Sequence, residues 1–129
     1  MDRDRFVRLV ERAITQLPIE FAEKLENVEI VVNDAPSAEQ RRKMKIDAGS
    51  TLLGLYEDVP LTRRGVHYNM VPPDKITIFQ EPIEAVCHSD SEIARETAQV
   101  LFHELAHHFG FSDAELREIA RKKQKPLTG

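Results

Sequence analysis

His103-Glu-Leu-Ala-His107 is the stretch of this 129-residue chain that most narrows the folds open to it. Positions four apart on an α-helix differ by about 40° around the axis and about 6 Å along it. A helix here sends two imidazoles out from one face, and the fold has to pack that helix without covering them. The helix is well marked by its flanks. Ser89 and Glu92 form a capping-box pattern, Ile93, Val100, Leu101 and Leu105 supply apolar positions, and Gly110 follows Phe109 where a glycine stops a helix.

Two imidazoles one turn apart can grip one metal ion, and zinc takes such ligands readily. Glu104 lies about 100° around the helix from His103 but only about 60° from His107. Its carboxylate is then beside the metal and not on it, the place for a general base that takes a proton from water and later gives it to a leaving amine. Catalytic zinc keeps three protein ligands and one open position, so a third donor is needed. Asp113 is the candidate, because Gly110 can adopt backbone angles that turn the chain back after the helix. Asp113 also stands one residue after a candidate N-cap, Ser112, where a negative charge suits the helix dipole without any metal. His108 points about 100° away from His107 and reads as a surface or supporting residue. His67 and His88 have no comparable spacing.

The rest of the chain reads as α+β. Phe6, Leu9, Val10, Ala13, Ile14 and Leu17 follow the three-and-four spacing of an amphipathic helix that Pro18 ends, and residues 19–25 suit a short second helix. Residues 28–32, 52–56 and 76–79 are apolar, β-branched runs that read as strands, the last suited to burial on both faces. Ser37 with Gln40, and Ser112 with Glu115, repeat the capping pattern and open further helices, while residues 82–87 suit one or two helical turns. Gly65 and Pro72-Pro73 make 62–74 a long loop. The expected order is helices, a small sheet of about three or four strands, the motif helix, then a closing helix.

Composition bounds the function. One domain fits 129 residues, and 41% hydrophobic with 31% charged residues is ordinary globular usage. Eighteen Lys and Arg against 22 Asp and Glu give a net charge of -4, so no basic excess points to nucleic acid. The basic runs at 41–45 and 121–125 read as solvated surface. Cys87 is the single cysteine, the N-terminus is charged, and no run approaches a membrane span, which together lead us to expect a cytoplasmic protein with no membrane contact.

The segment His103-Glu-Leu-Ala-His-His-Phe-Gly-Phe-Ser-Asp113 resembles the zincin metallopeptidases of the H-E-x-x-H-x-x-G-x-x-H/D kind, with Asp113 where metzincins carry a third histidine. Together with Leu53-Gly-Leu-Tyr-Glu-Asp-Val-Pro-Leu-Thr-Arg63 and Ile76-Thr-Ile-Phe-Gln80, it is similar to the small bacterial minimal zincin-like metallopeptidases, over about half the chain, roughly 52–116. The resemblance implies a single zincin-like α+β domain over 1–129, a small mixed sheet packed against the motif helix, and a zinc-dependent peptidase. It further implies that 52–56 is an edge strand whose backbone, at Leu53, Gly54, Leu55 and Tyr56, holds an extended peptide or protein substrate by strand addition, with 76–79 as its inner neighbour. An ordinary edge strand explains 52–56 equally well. Tyr56 and Tyr68 are candidates to assist the oxyanion, and packing accounts for both as well.

The chain departs from the metzincin pattern in having no methionine after Met70. It is also expected to lack the second subdomain that usually walls the cleft. Two alternatives to a peptidase therefore stay open: a weak or inactive zinc-binding module for peptide recognition or regulation, and a metal-free helical scaffold. Substrate identity, regulation and oligomeric state are not legible in the sequence.

Overall fold

The computed structural model describes residues 1–46, 53–58 and 74–124, with the side chains of 44–46, 113, 120 and 122–124 outside that description. Tyr68, His67, Pro60, Gly65, Met70 and the expected loop before Asp74 lie outside the described residues.

Helix α1 (Arg3–Thr15) starts at Asp2, whose carboxylate accepts the Arg5 N–H, and buries Phe6, Leu9, Val10 and Ala13 as their spacing requires. It stops two residues earlier than the apolar pattern, and Leu17 joins the core from the turn before Pro18. Pro18 caps α2 (Ile19–Lys24), and a 3-10 turn, Leu25–Asn27, leads into β1 (Val28–Asn33). Ser37 and Gln40 exchange bonds of 3.0 and 3.1 Å to open α3 (Ala38–Ile46). Strands β2 (Gly54–Glu57) and β3 (Asp74–Phe79) follow, then α4 (Gln80–Val86), α5 (Asp90–Phe109) and α6 (Asp113–Gln124).

The strand order among the described residues is β1-β3-β2, with β1 parallel and β2 antiparallel to β3. This is the small mixed sheet expected, and β3 is the inner strand. Strand β2 sits one register step later than the sequence suggests. Leu53 lies in the turn, where its carbonyl accepts the Phe79 N–H at 3.0 Å, while Glu57 extends the strand opposite Lys75. Strand β3 starts earlier than Ile76, because Asp74 and Lys75 pair with Val28 and Glu29.

Register determines the faces. Tyr56, Ile76 and Ile30 share one side of the sheet, as do Gly54, Ile78 and Val32, since alternate residues point the same way. Helix α5 packs on this side against β2 and β3 and also meets α1, α2 and α4. Phe6, Phe21, Ile76, Ile78, Ile83, Leu101 and Leu105 are all fully buried in the resulting core. Arg3 ties the start of α1 to the sheet through the Val32 carbonyl (2.8 Å), Gln80 (2.7 Å) and Asp34, and Arg5 reaches Asp90 at the head of α5 (2.6 Å).

Gly54 brings β2 close to α5. A Cβ at that position would stand 2.5 Å from Val100 Cγ1 and 3.3 Å from the Thr77 carbonyl oxygen. Gly54→Ala is expected to destabilise the fold by about 1–3 kcal/mol through overpacking, and adding Val100→Ala should recover part of that loss. A urea midpoint for Gly54→Ala equal to that of the unsubstituted chain would contradict this close approach.

On the other side of the sheet, Glu57 accepts from Lys43 Nζ at 2.7 Å and Gln40 Nε2 at 3.3 Å, with Lys75 Nζ at 3.9 Å, which joins α3 to β2. Burial is the strongest single influence on the Glu57 carboxyl and opposes its charge. The bonds from Lys43 and Gln40, with the charges of Lys43 and Lys75, outweigh it and hold the pKa below the ordinary 4.5. A carboxylate whose folded value is the lower one stabilises fully above its ordinary value and loses that contribution as the solution becomes more acidic. The gap in urea midpoint between the unsubstituted chain and Glu57→Gln should therefore be larger at pH 7 than at about pH 3.

Candidate metal centre

Helix α5 is twenty residues long and serves the core and the surface at once. Ser89 caps it by accepting the Glu92 N–H at 3.2 Å, and the Glu92 carboxylate reaches back to the His88 N–H at 2.8 Å. Ile93, Ala94, Thr97, Ala98, Val100, Leu101, Glu104 and Leu105 are its buried positions. His103 and His107 fall outside that stripe and are exposed, one above the other by a turn of helix. Placing two imidazoles on the solvent side thus follows from the same periodicity that buries Leu101 and Leu105.

Glu104 is on the buried stripe and its exposure is 0%. A carboxylate this deep is costly unless its surroundings compensate for lost water, so its presence among Val100, Leu101 and Leu105 calls for a role beyond packing. Nε2 of His108 lies 3.9 Å from Glu104 Oε2. The His108 ring stacks on Tyr56 with centroids 4.2 Å apart and 16° between planes, and it meets the His107 ring edge-on at 5.0 Å. Half-buried His108 is therefore a supporting residue between the motif and the sheet. Exposed His88 is at the far end of α5 and takes no part in the site.

The helix ends on Gly110, at φ 67 and ψ 35, the left-handed geometry that lets the chain reverse. The N–H groups of Gly110 and Phe111 both turn back to the Ala106 carbonyl. Phe111 then packs its ring on Phe21 (4.7 Å, 24°), which also lies against Phe102 (4.5 Å, 30°). The bend is thereby anchored in the core. Ser112 and Glu115 exchange capping bonds of 3.1 and 3.2 Å, so α6 begins at Asp113, with its backbone two residues past the anchored bend.

Among the described residues, no three His, Cys, Asp or Glu side chains form a group that could hold a metal ion, and the Asp113 side chain is not among those residues. The donor types fit zinc: two exposed imidazoles one turn apart, with an aspartate starting the next helix after a short bend. Leu53, Gly54, Leu55 and Tyr56 are in and beside β2, which is an edge among the described residues. Gly54, Leu55 and Tyr56 are buried. The Tyr56 hydroxyl donates to Asp74 Oδ2 at 2.8 Å.

Sequence reasoning missed three contributors to this site. Phe111 was not singled out, although an apolar residue just past a C-terminal glycine is a known anchoring position. Asp74 and the Tyr56–His108 stack carried no local signal, because each depends on segments distant in sequence.

Gly110→Ala tests the bend. A methyl group there has no atom within 4 Å to strike, so the cost is purely that of a left-handed backbone, about 1–2 kcal/mol. A measured loss in that range, with weaker zinc binding by isothermal titration, is expected. Unchanged values for both would show that the bend does not depend on the glycine.

Residues 25–122 match the family model described as zincin-like metallopeptidase. No curated protein matches the chain. The matched stretch runs from the turn before β1 into α6, so the sheet, the motif helix and the anchored bend all fall within it, and this chain belongs to the zincin-like metallopeptidases.

Proposed function

We propose that the chain is a zinc-dependent peptidase in which His103, His107 and Asp113 hold the ion and Glu104 is the general base. The observation that carries this reading is the buried Glu104 carboxylate on the same turn as two exposed imidazoles, inside the stretch that matches the family. Zinc supplies Lewis acidity that makes water nucleophilic near neutral pH and offsets charge on the carbonyl oxygen. The chain's own groups supply the rest.

Glu104 takes a proton from water as the water oxygen bonds to the scissile carbonyl carbon. It returns that proton to the amide nitrogen as the C–N bond breaks, leaving a carboxyl and an amine product. The substrate lies extended along β2, held by main-chain groups of the Leu53–Gly54–Leu55–Tyr56 segment. Since Leu55 and Tyr56 are 2% and 4% exposed, recognition on this strand is mainly through backbone, which favours extended peptides over particular side chains. The Tyr56 hydroxyl is engaged with Asp74, so within the described residues the oxyanion depends on the metal. The net charge of -4 agrees with a peptide or protein substrate and no nucleic acid. No described helix is long and apolar enough to cross a membrane.

A second reading rests on the same carboxylate. A base must meet water, and Glu104 at 0% exposure is shielded from it in the unliganded chain. A zinc-holding peptide-recognition or regulatory module, with little or no turnover, is the reading that this shielding favours.

One set of measurements separates them. Elemental analysis should find one zinc per chain, lost in His103→Ala and His107→Ala. Glu104→Gln should keep zinc and lose cleavage of a mixed peptide library by about 10²-fold or more. Because the His107 ring is exposed, His107→Ala should melt with the metal-free unsubstituted chain but well below the zinc-loaded one. Stoichiometric zinc with no cleavage by either the unsubstituted chain or Glu104→Gln would establish the recognition module, and absence of zinc would end both readings.

A further inference from the structure

Four contacts converge on Tyr56, a residue only 4% exposed at the centre of the edge strand. Its hydroxyl donates to Asp74 at the start of β3 (2.8 Å). Its ring lies flat on His108 (4.2 Å, 16°) and stands edge-on to Phe109 (6.1 Å, 89°). It also pairs in the sheet with Ile76. One side chain therefore holds the last turn of α5 from the sheet, and the hydrogen bond to a second strand fixes its own orientation.

That turn is where an unsupported helix would fray. It ends at a glycine, and its final carbonyls lack helical partners beyond the two N–H groups that return to Ala106. His107 is in this turn, and its ring rests edge-on against His108 at 5.0 Å. The path from Asp74 through Tyr56 and His108 to His107 is continuous and has no gap wider than ring contact.

We propose that Tyr56 is a positioning residue for the metal centre: through His108 it sets where the His107 imidazole stands relative to the edge strand, and so joins the substrate-holding and metal-holding halves of the site. This rests on the reading that His103 and His107 hold zinc. It gives Tyr56 a role different from oxyanion assistance, since its hydroxyl serves Asp74. Groups that orient metal ligands without touching the metal typically matter 10- to 100-fold in affinity.

The test is zinc affinity by chelator competition on the full chain, with urea unfolding of the metal-free protein measured in parallel. Tyr56→Leu removes both the stack and the hydroxyl, and should weaken zinc by about 10-fold or more. Tyr56→Phe keeps the ring and loses only the bond to Asp74, so it should fall between Tyr56→Leu and the unsubstituted chain. Tyr56→Phe also keeps the assay informative if the leucine variant does not fold. Ile83→Val, in fully buried α4 packing away from the site, is the control for stability alone. It should lower the urea midpoint and leave zinc affinity within about twofold. Tyr56→Leu that binds zinc as tightly as the unsubstituted chain, or Ile83→Val that loses zinc as Tyr56→Leu does, overturns the proposal while leaving the metallopeptidase reading intact. An unsubstituted chain that binds no zinc overturns both.

Discussion

One helix has to be the centre of the core and the floor of the site. Helix α5 meets β2, β3, α1, α2 and α4, and its buried stripe runs without interruption from Ile93 to Leu105. Such a helix cannot move or rotate without disturbing most of the apolar contacts in a domain of this size. The exposed imidazoles of His103 and His107 are thereby fixed in direction by residues on the other side of the helix, and the rigidity that a metal centre requires comes from ordinary packing.

The arrangement has a consequence for Glu104. A residue one position beyond His103 falls on the boundary stripe whatever its chemistry, because 100° of rotation carries it from solvent toward the core. An apolar residue there would suit the fold better than a carboxylate does, and the chain places charge where stability alone disfavours it. His108, four residues on, accompanies Glu104 into that region and is the group through which the sheet reaches the motif. The motif is therefore less a surface feature than a seam between core and surface. Its two faces have different requirements: solvent access for the imidazoles, and enclosure for the carboxylate.

What could be read in advance follows from how far apart the interacting residues are in sequence. Ser37 with Gln40, Ser89 with Glu92 and Ser112 with Glu115 act within three residues, and Gly110 acts on its own backbone, so these helix boundaries were legible and are found as expected. The sheet was legible in its strands but not in its order. Nothing local says that β1 runs parallel to β3, or that β2 pairs from the opposite direction. Gly54 looked like a strand-weakening residue, and its use becomes visible only when Val100, far along the chain, is found against it. The same holds for Arg3, whose side chain reaches both Val32 and Gln80. For the site, the spacing of His103, Glu104 and His107 was sufficient, while the support from Tyr56, Asp74 and Phe111 depends on tertiary contact and left no pattern.

These supports share a design. Phe111 anchors the chain just after Gly110, and Tyr56 grips it just before, at His108 and Phe109. The reversal that leads to Asp113 is thus clamped from both sides by aromatic rings, with only Gly110 free to take the left-handed backbone that turns the chain. A bend held in this way permits little variation in where α6 begins. The number of residues between the second histidine and the aspartate then matters as much as their identity. Adding or removing one residue there would rotate the start of α6 by about 100° and carry Phe111 out of its stack, so the fold constrains the spacing of the motif independently of any requirement from the metal.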